Sequence, residues 1–151
     1  MRYMDFVLTS SAFKAGGFIP VKYTCRGLNI NPPLTINNVP AETNTLALIF
    51  HDPDAVNKDW LHWIVFNIPP TTTQIAEATL PSGAVQGKND FGDTAYGGPC
   101  PPSGTHRYIF DFYALDKRLD LPIGASRQQV ESALASHTLV KTSLAGLFSN
   151  Q

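Results

Sequence analysis

Twelve prolines and eleven glycines are spread through this chain of 151 residues and cut it into short segments. Proline removes a backbone donor and glycine weakens regular elements, so few stretches can carry a long helix. Punctuation of that density favours a mainly β fold of short strands joined by turns. Met4–Ser10 alternates roughly, and Phe18–Cys25 carries Ile19, Val21 and Tyr23 at alternate positions. Thr45–His51 and Leu61–Ile68 are nearly continuous apolar runs, as central strands covered on both faces should be. Arg107–Leu115 is rich in aromatics, with Asp111 on one face. One helix stands out: Ser126 and Gln129 have capping-box spacing ahead of Val130, Ala133 and Leu134, and the helix should end near His137. Thr138–Phe148 reads equally well as strand or helix.

The length suits one domain, residues 1–151, with a core of its own. A net charge of −1 with 15% charged residues gives no electrostatic reason to expect nucleic acid as a partner. The opening MRYMDFVLTSSAF is interrupted too early by Asp5 for a signal peptide or a membrane span, so a cytoplasmic location is the default expectation. Cys25 and Cys100 form no CxxC pair and read most simply as two buried or half-buried thiols; a disulfide would require an oxidising compartment.

Gly87–Asp116 is the densest turn region, with five glycines, three prolines, Cys100 and His106 running into an aromatic strand. A second polar group, His51-Asp52-Pro53-Asp54 and then His62-Trp63, lies between two apolar strands. In an antiparallel pair the end of one strand and the start of the next share an edge. Pairing Thr45–His51 with Leu61–Ile68 therefore brings Asp52 near His62, and adding Arg107–Leu115 brings His106 to the same edge. Each residue also has a plainer role. Asp52 and Asp54 can shape a turn around Pro53, Trp60 and Trp63 can be packing, and His51 and His137 are read as structural.

A pocket holding Asp52, His62 and His106 admits several chemistries. Two histidines and a carboxylate can hold iron or zinc, although no HxH or HExxH spacing is present. Cys100 or Ser103 beside His106 could serve as a nucleophile with its base, but the flanking Pro99 and Pro101 suit a structural cysteine. The third reading is an anion site, in which imidazole and backbone N–H groups donate to a phosphate-like group.

The segments DPDA (52–55), HWIVFNIP (62–69), LPSGAVQGKNDFG (80–92), YGGPCPPSGTHRYIF (96–110) and YALD (113–116) resemble the phosphatidylethanolamine-binding protein family, in its bacterial Raf kinase inhibitor-like branch. NINPPL (29–34) and LDLPIGAS (119–126) extend the likeness along nearly the whole chain. The resemblance implies a β-sandwich with a large central antiparallel sheet, a smaller second sheet and one or two short helices. It also implies a small anion pocket at the sheet edge, matched here by Asp52, His62, Gly98, Pro99, His106 and Tyr108. No shared catalytic activity and no cofactor go with that pocket. Phosphate-type or phosphorylated ligands, a kinase or protease target and a homodimer are the partners it suggests. Two positions depart from the pattern: Val56 stands where the family commonly has a proline, often after a cis bond, and Ala95 where it has a glycine. The first is expected to give the loop at the pocket mouth a path of its own.

Overall fold

The computed structural model describes residues 5–150. Among these residues eight strands form two antiparallel sheets, accompanied by one α-helix. Strands β1 (Val7–Thr9), β2 (Leu34–Asn37) and β5 (Gln74–Ile75) make the smaller one, in the order β1-β2-β5. The larger contains β3 (Thr45–Asp52), β4 (Trp60–Ile68), β6 (Val85–Gln86), β7 (Thr105–Leu115) and β8 (Thr138–Ser149), in the order β6-β4-β3-β7-β8. The short helix α1 (Arg127–Leu134) connects β7 to β8.

The apolar runs are explained by two separate cores. Strand β3 is buried along its whole length. Its Leu46, Leu48 and Phe50 face the smaller sheet and meet Leu8, Leu34, Ile36 and Ile75. Alternate residues Ala47 and Ile49 join a second cluster beneath α1, with Ile64, Phe66, Val130 and Leu134. A strand sandwiched in this way has no solvated side, so its sequence shows no polar alternation. At the centre of the first core the rings of Phe50 and Phe110 stack, with centroids 3.8 Å apart.

Helix α1 begins as its sequence requires. The Ser126 hydroxyl accepts from the Gln129 amide, and the Gln129 side chain accepts in return from the Ser126 amide. It ends at Leu134, three residues before the expected limit at His137. Thr138–Ser149 is strand, paired with all of β7 from Thr105↔Ser149 to Leu115↔Thr138.

The expected strand at Phe18–Cys25 does not form. Phe18 bridges Leu147 in parallel and Ile19 donates to the Leu147 carbonyl, but the chain then turns, with the Pro20 carbonyl accepting from the Tyr23 amide. Val21–Tyr23 turns into a single 3-10 helix instead. Ile19 and Tyr23 are buried and Val21 is 53% exposed, so the apparent alternation was not a sheet face. The first strand is also shorter than Met4–Ser10, and Met4 itself lies outside the described residues.

Candidate functional site

Three strand ends meet at one edge of the large sheet. Strand β3 pairs antiparallel with both β4 and β7, through His51↔Leu61 on one side and His51↔Ile109 on the other. Asp52 at the end of β3, His62 near the start of β4 and His106 near the start of β7 are thereby brought together around one cavity of about 320 Å³.

A bulge aims His62. Phe50 pairs with Trp63 and the next residue, His51, pairs with Leu61, so β4 carries one extra residue. Leu61 and Ile64 point into the core under α1, while Trp63 and Val65 point into the core between the sheets. His62, the extra residue, turns to the same side as Trp63 and lies edge-on to Tyr108, with ring centroids 5.3 Å apart. Its Nδ1 donates to the Gly97 carbonyl at 2.7 Å. Burial pushes the His62 pKa below its ordinary value, against the upward pull of the Gly97 carbonyl and the Asp52 charge.

Asp52 is buried and its two oxygens have separate duties. Oδ1 accepts from the Asp54 amide at 2.8 Å, which is the turn around Pro53. Oδ2 accepts from His106 Nδ1 at 2.7 Å. The carboxylate thus fixes the His106 ring with Nδ1 committed as a donor. Asp54 anchors the same loop from outside, accepting from the Arg107 amide, Nε and Nη2 at 2.9, 2.9 and 2.8 Å. Those bonds hold the Asp54 carboxyl down to about 2. Tyr108 completes the polar lining, and its fully buried hydroxyl has no hydrogen-bond partner. The Asp52 carboxylate and the Cys100 backbone lie beside it without meeting hydrogen-bond geometry. Burial is the main reason that its pKa is raised, and the Asp52 charge adds to it.

The remaining wall is apolar. Ala55, Val56, Trp60, Phe91, Cys100 and Pro102 supply it, with Val56 and Phe91 at the exposed mouth. Val56 is 66% and Phe91 45% exposed. Phe91 was not singled out by its sequence; it reaches the mouth because the Asn89 side chain folds the 89–93 turn, accepting from the Phe91 and Asp93 amides. No cis peptide bond occurs among the described residues, so Val56 follows a trans bond.

Gly98 and Pro99 stand behind the wall rather than in it. They are buried and absent from the cavity lining, and they hold the segment carrying Cys100. The Gly98 amide donates to Asn29 Oδ1 at 2.8 Å and the Pro99 carbonyl accepts from the Cys25 amide at 3.1 Å. A Cβ on Gly98 would lie 2.3 Å from the Tyr23 carbonyl oxygen, so only glycine permits this approach. The Tyr96 hydroxyl donates to that same carbonyl at 2.7 Å.

Cys25 and Cys100 are joined in a disulfide, which corrects the reading of two thiols. Both residues are exposed rather than buried. The loop contacts just described hold the two backbones side by side, with Cα atoms 5.5 Å apart. Two residues 75 positions apart gave no local sign of this. A thiolate nucleophile at Cys100 is thereby removed, because the sulfur is already bonded. Among the described residues, no three His, Cys, Asp or Glu side chains converge as metal ligands would.

His51 keeps the structural role expected of it, on the opposite face of the sheet. Nδ1 contacts Asp59 and Nε2 contacts Asp111, both at 2.8 Å. His137 likewise pairs with Asp116 at 2.9 Å.

Two antiparallel sheets with one short helix and a histidine-lined cavity at a strand-end edge define the class of protein. A family model for phosphatidylethanolamine-binding protein matches residues 9–149. A UPF0098 protein of Methanothermobacter thermautotrophicus is 51% identical over 146 residues, 93% of this chain and 97% of its own. Among solved structures, a phosphatidylethanolamine-binding protein homologue from Chlamydia trachomatis is 40% identical with a TM-score of 0.91, over 95% of this chain and 97% of that one. Escherichia coli YbcL, described as a member of the mammalian family, is 32% identical with a TM-score of 0.92, over 97% and 99%. The chain belongs to the phosphatidylethanolamine-binding protein family. No helix among the described residues is long and apolar enough to cross a membrane.

Proposed function

We propose that this protein is a non-enzymatic binding protein whose edge cavity holds a phosphate-type group, and that the loaded or empty cavity regulates a protein partner of the kinase or protease class. The observation that carries this reading is the convergence of His62, His106 and Tyr108 on one cavity, with Asp52 orienting His106. A phosphoryl oxygen accepts from His106 Nε2, on a ring that the Asp52 carboxylate holds through Nδ1. The ring nitrogens left over, Nε2 of both histidines, are the remaining polar contacts. The apolar mouth of Val56, Trp60 and Phe91 accommodates the carbon skeleton bearing the phosphate. With the Cys100 sulfur bonded, the cavity has no thiolate for a covalent step.

Titration with inorganic phosphate or a phosphomonoester, followed by NMR, tests the reading. The ring signals of His62 and His106 should shift saturably at millimolar ligand, and those of His137 should not. Asp52→Asn, which deprives His106 of its charged partner, should weaken binding about tenfold. Affinity should fall as pH rises through the histidine range, because the complex retains a proton that the free partners lose. If neither pocket histidine responds, the assignment is wrong.

A further inference from the structure

We infer that His51 is a proton-operated latch on segment 53–59, the loop that supplies Ala55 and Val56 to the cavity lining. Charged, the ring ties that loop to the sheet through Asp59; neutral, it lets the loop go. The latch lies on the face of the sheet away from the cavity and stands whatever the cavity holds.

The geometry around the ring carries the argument. Nδ1 lies 2.8 Å from Asp59 Oδ1, and Nε2 lies 2.8 Å from Asp111 Oδ2. An ionised carboxylate only accepts, so both contacts are hydrogen bonds only when both ring nitrogens carry protons. A neutral ring has one N–H and must set its lone pair against the other carboxylate. The site is therefore built around the charged ring. Burial disfavours that charge, but the bonds to Asp111 and Asp59 outweigh it, so the proton is kept to a higher pH than on a free imidazole.

Every neighbouring element contributes to the charge balance. From β7 comes Asp111, whose Oδ1 accepts from Ser143 and lies 3.6 Å from Lys141, both on β8. Lys141 also stands over the Tyr113 ring. From α1 comes Arg127, which reaches Asp59 Oδ2 at 3.2 Å and is shared with Glu131. Strand β4 sets only the apolar Leu61 opposite His51. With the ring charged, His51, Arg127 and Lys141 balance Asp59, Asp111 and Glu131. Loss of the proton leaves the carboxylates in excess.

The two carboxylates do not compete equally for the last ring proton. The Asp111 side chain is 12% exposed and that of Asp59 is 41% exposed. Water and Arg127 can replace the ring at Asp59, whereas Asp111 Oδ2 has no other partner among the described residues. Leaving a buried acceptor unpaired is the costlier choice. The remaining proton settles on Nε2, and the bond to Asp59 is the one that opens. The other end of the loop stays held, by the Asp52 turn and by Asp54 on Arg107. Between these ends the exposed pair of Lys58 with Asp90, at 3.2 Å, is a weak restraint. Opening the Asp59 bond thus frees the middle of the loop, where Ala55 and Val56 meet the cavity.

NMR on the intact chain from about pH 5 to about pH 9.5 tests the inference. Nitrogen-15 ring signals should show His51 protonated on both nitrogens at the acid end and on Nε2 alone at the basic end. Backbone order parameters at 55–58 should hold near about 0.85 while the ring is charged, and fall below about 0.6 with the midpoint of the His51 ring itself. Asp59→Asn keeps a tie in both states, because its side chain accepts from a charged ring and donates to a neutral one. That variant should hold the loop rigid throughout and lower the His51 midpoint by at least about one unit. His51→Gln should leave the loop mobile at every pH, with dispersed amide signals reporting an intact fold. A neutral ring protonated on Nδ1 overturns the latch, and so does loop mobility that ignores the His51 midpoint or still changes in Asp59→Asn. Mobility that follows His62 or His106 instead places the control on the cavity side and overturns it equally. Each of these failures leaves the reading of the cavity as an anion site untouched.

Discussion

At the scale of single residues, the two histidines flanking β3 and β4 show how partners divide similar side chains between jobs. His51 and Asp52 are neighbours that face opposite sides of the sheet. On the side away from the cavity, burial pushes the His51 pKa down, but bonds to Asp111 and Asp59 outweigh it and the net shift is upward. Lys141 stands 3.6 Å from Asp111 and Arg127 3.2 Å from Asp59, so the carboxylates are bracketed by cations from β8 and α1. A group with a raised folded pKa contributes its full stability below its unfolded value and loses it as pH rises through the folded one. His51→Gln should therefore cost about 1.5–3 kcal/mol near pH 6 and progressively less above neutrality, measured by urea unfolding of both proteins across that range. His62, buried against a carbonyl, is shifted the other way. A sequence marks both residues only as histidines beside strands; their protonation is decided by partners 8 to 60 positions away.

At the scale of elements, the strand ends were legible and the loops were not. The apolar runs at β3 and β4 and the aromatic run at β7 marked strands that would bring Asp52, His62 and His106 to one edge if they paired antiparallel, and they do pair so. Strands β5 and β6 have two residues each, too few for any periodicity, and exist because longer neighbours offer them an edge. The loop preceding β7 is held by cross-links: Tyr96 to Tyr23, Gly98 to Asn29, and the disulfide between Cys25 and Cys100. Closing a loop of 75 residues restricts the unfolded chain, so Cys25→Ser with Cys100→Ser should lower stability by about 2–4 kcal/mol in urea unfolding. Phosphate affinity should fall as well, since Cys100 lines the cavity. An exposed disulfide persists where the surroundings are oxidising, which bears directly on the cytoplasmic expectation. Alkylation in lysate before purification, followed by mass spectrometry, should find neither cysteine modified.

At the scale of the whole molecule, two cores share one central sheet, and β3 contributes to both. Neither core can be lost without exposing the other side of that strand. Thermal unfolding should accordingly be one cooperative transition, with calorimetric and van't Hoff enthalpies in agreement; two resolved transitions would show that the cores melt separately. The residues alone determined the mainly β class, the capped helix and the strands at Thr45–Asp52, Trp60–Ile68 and Thr105–Leu115. Those depend on local periodicity and on proline and glycine, which act over a few bonds. The family likeness was carried by the same collinear segments. Tertiary structure alone decided the 3-10 turn at Val21–Tyr23, the strand character of Thr138–Ser149, the disulfide, and the proton positions in the cavity. Each of these depends on a group distant in sequence, and short-range pattern holds no record of which distant group folding will supply.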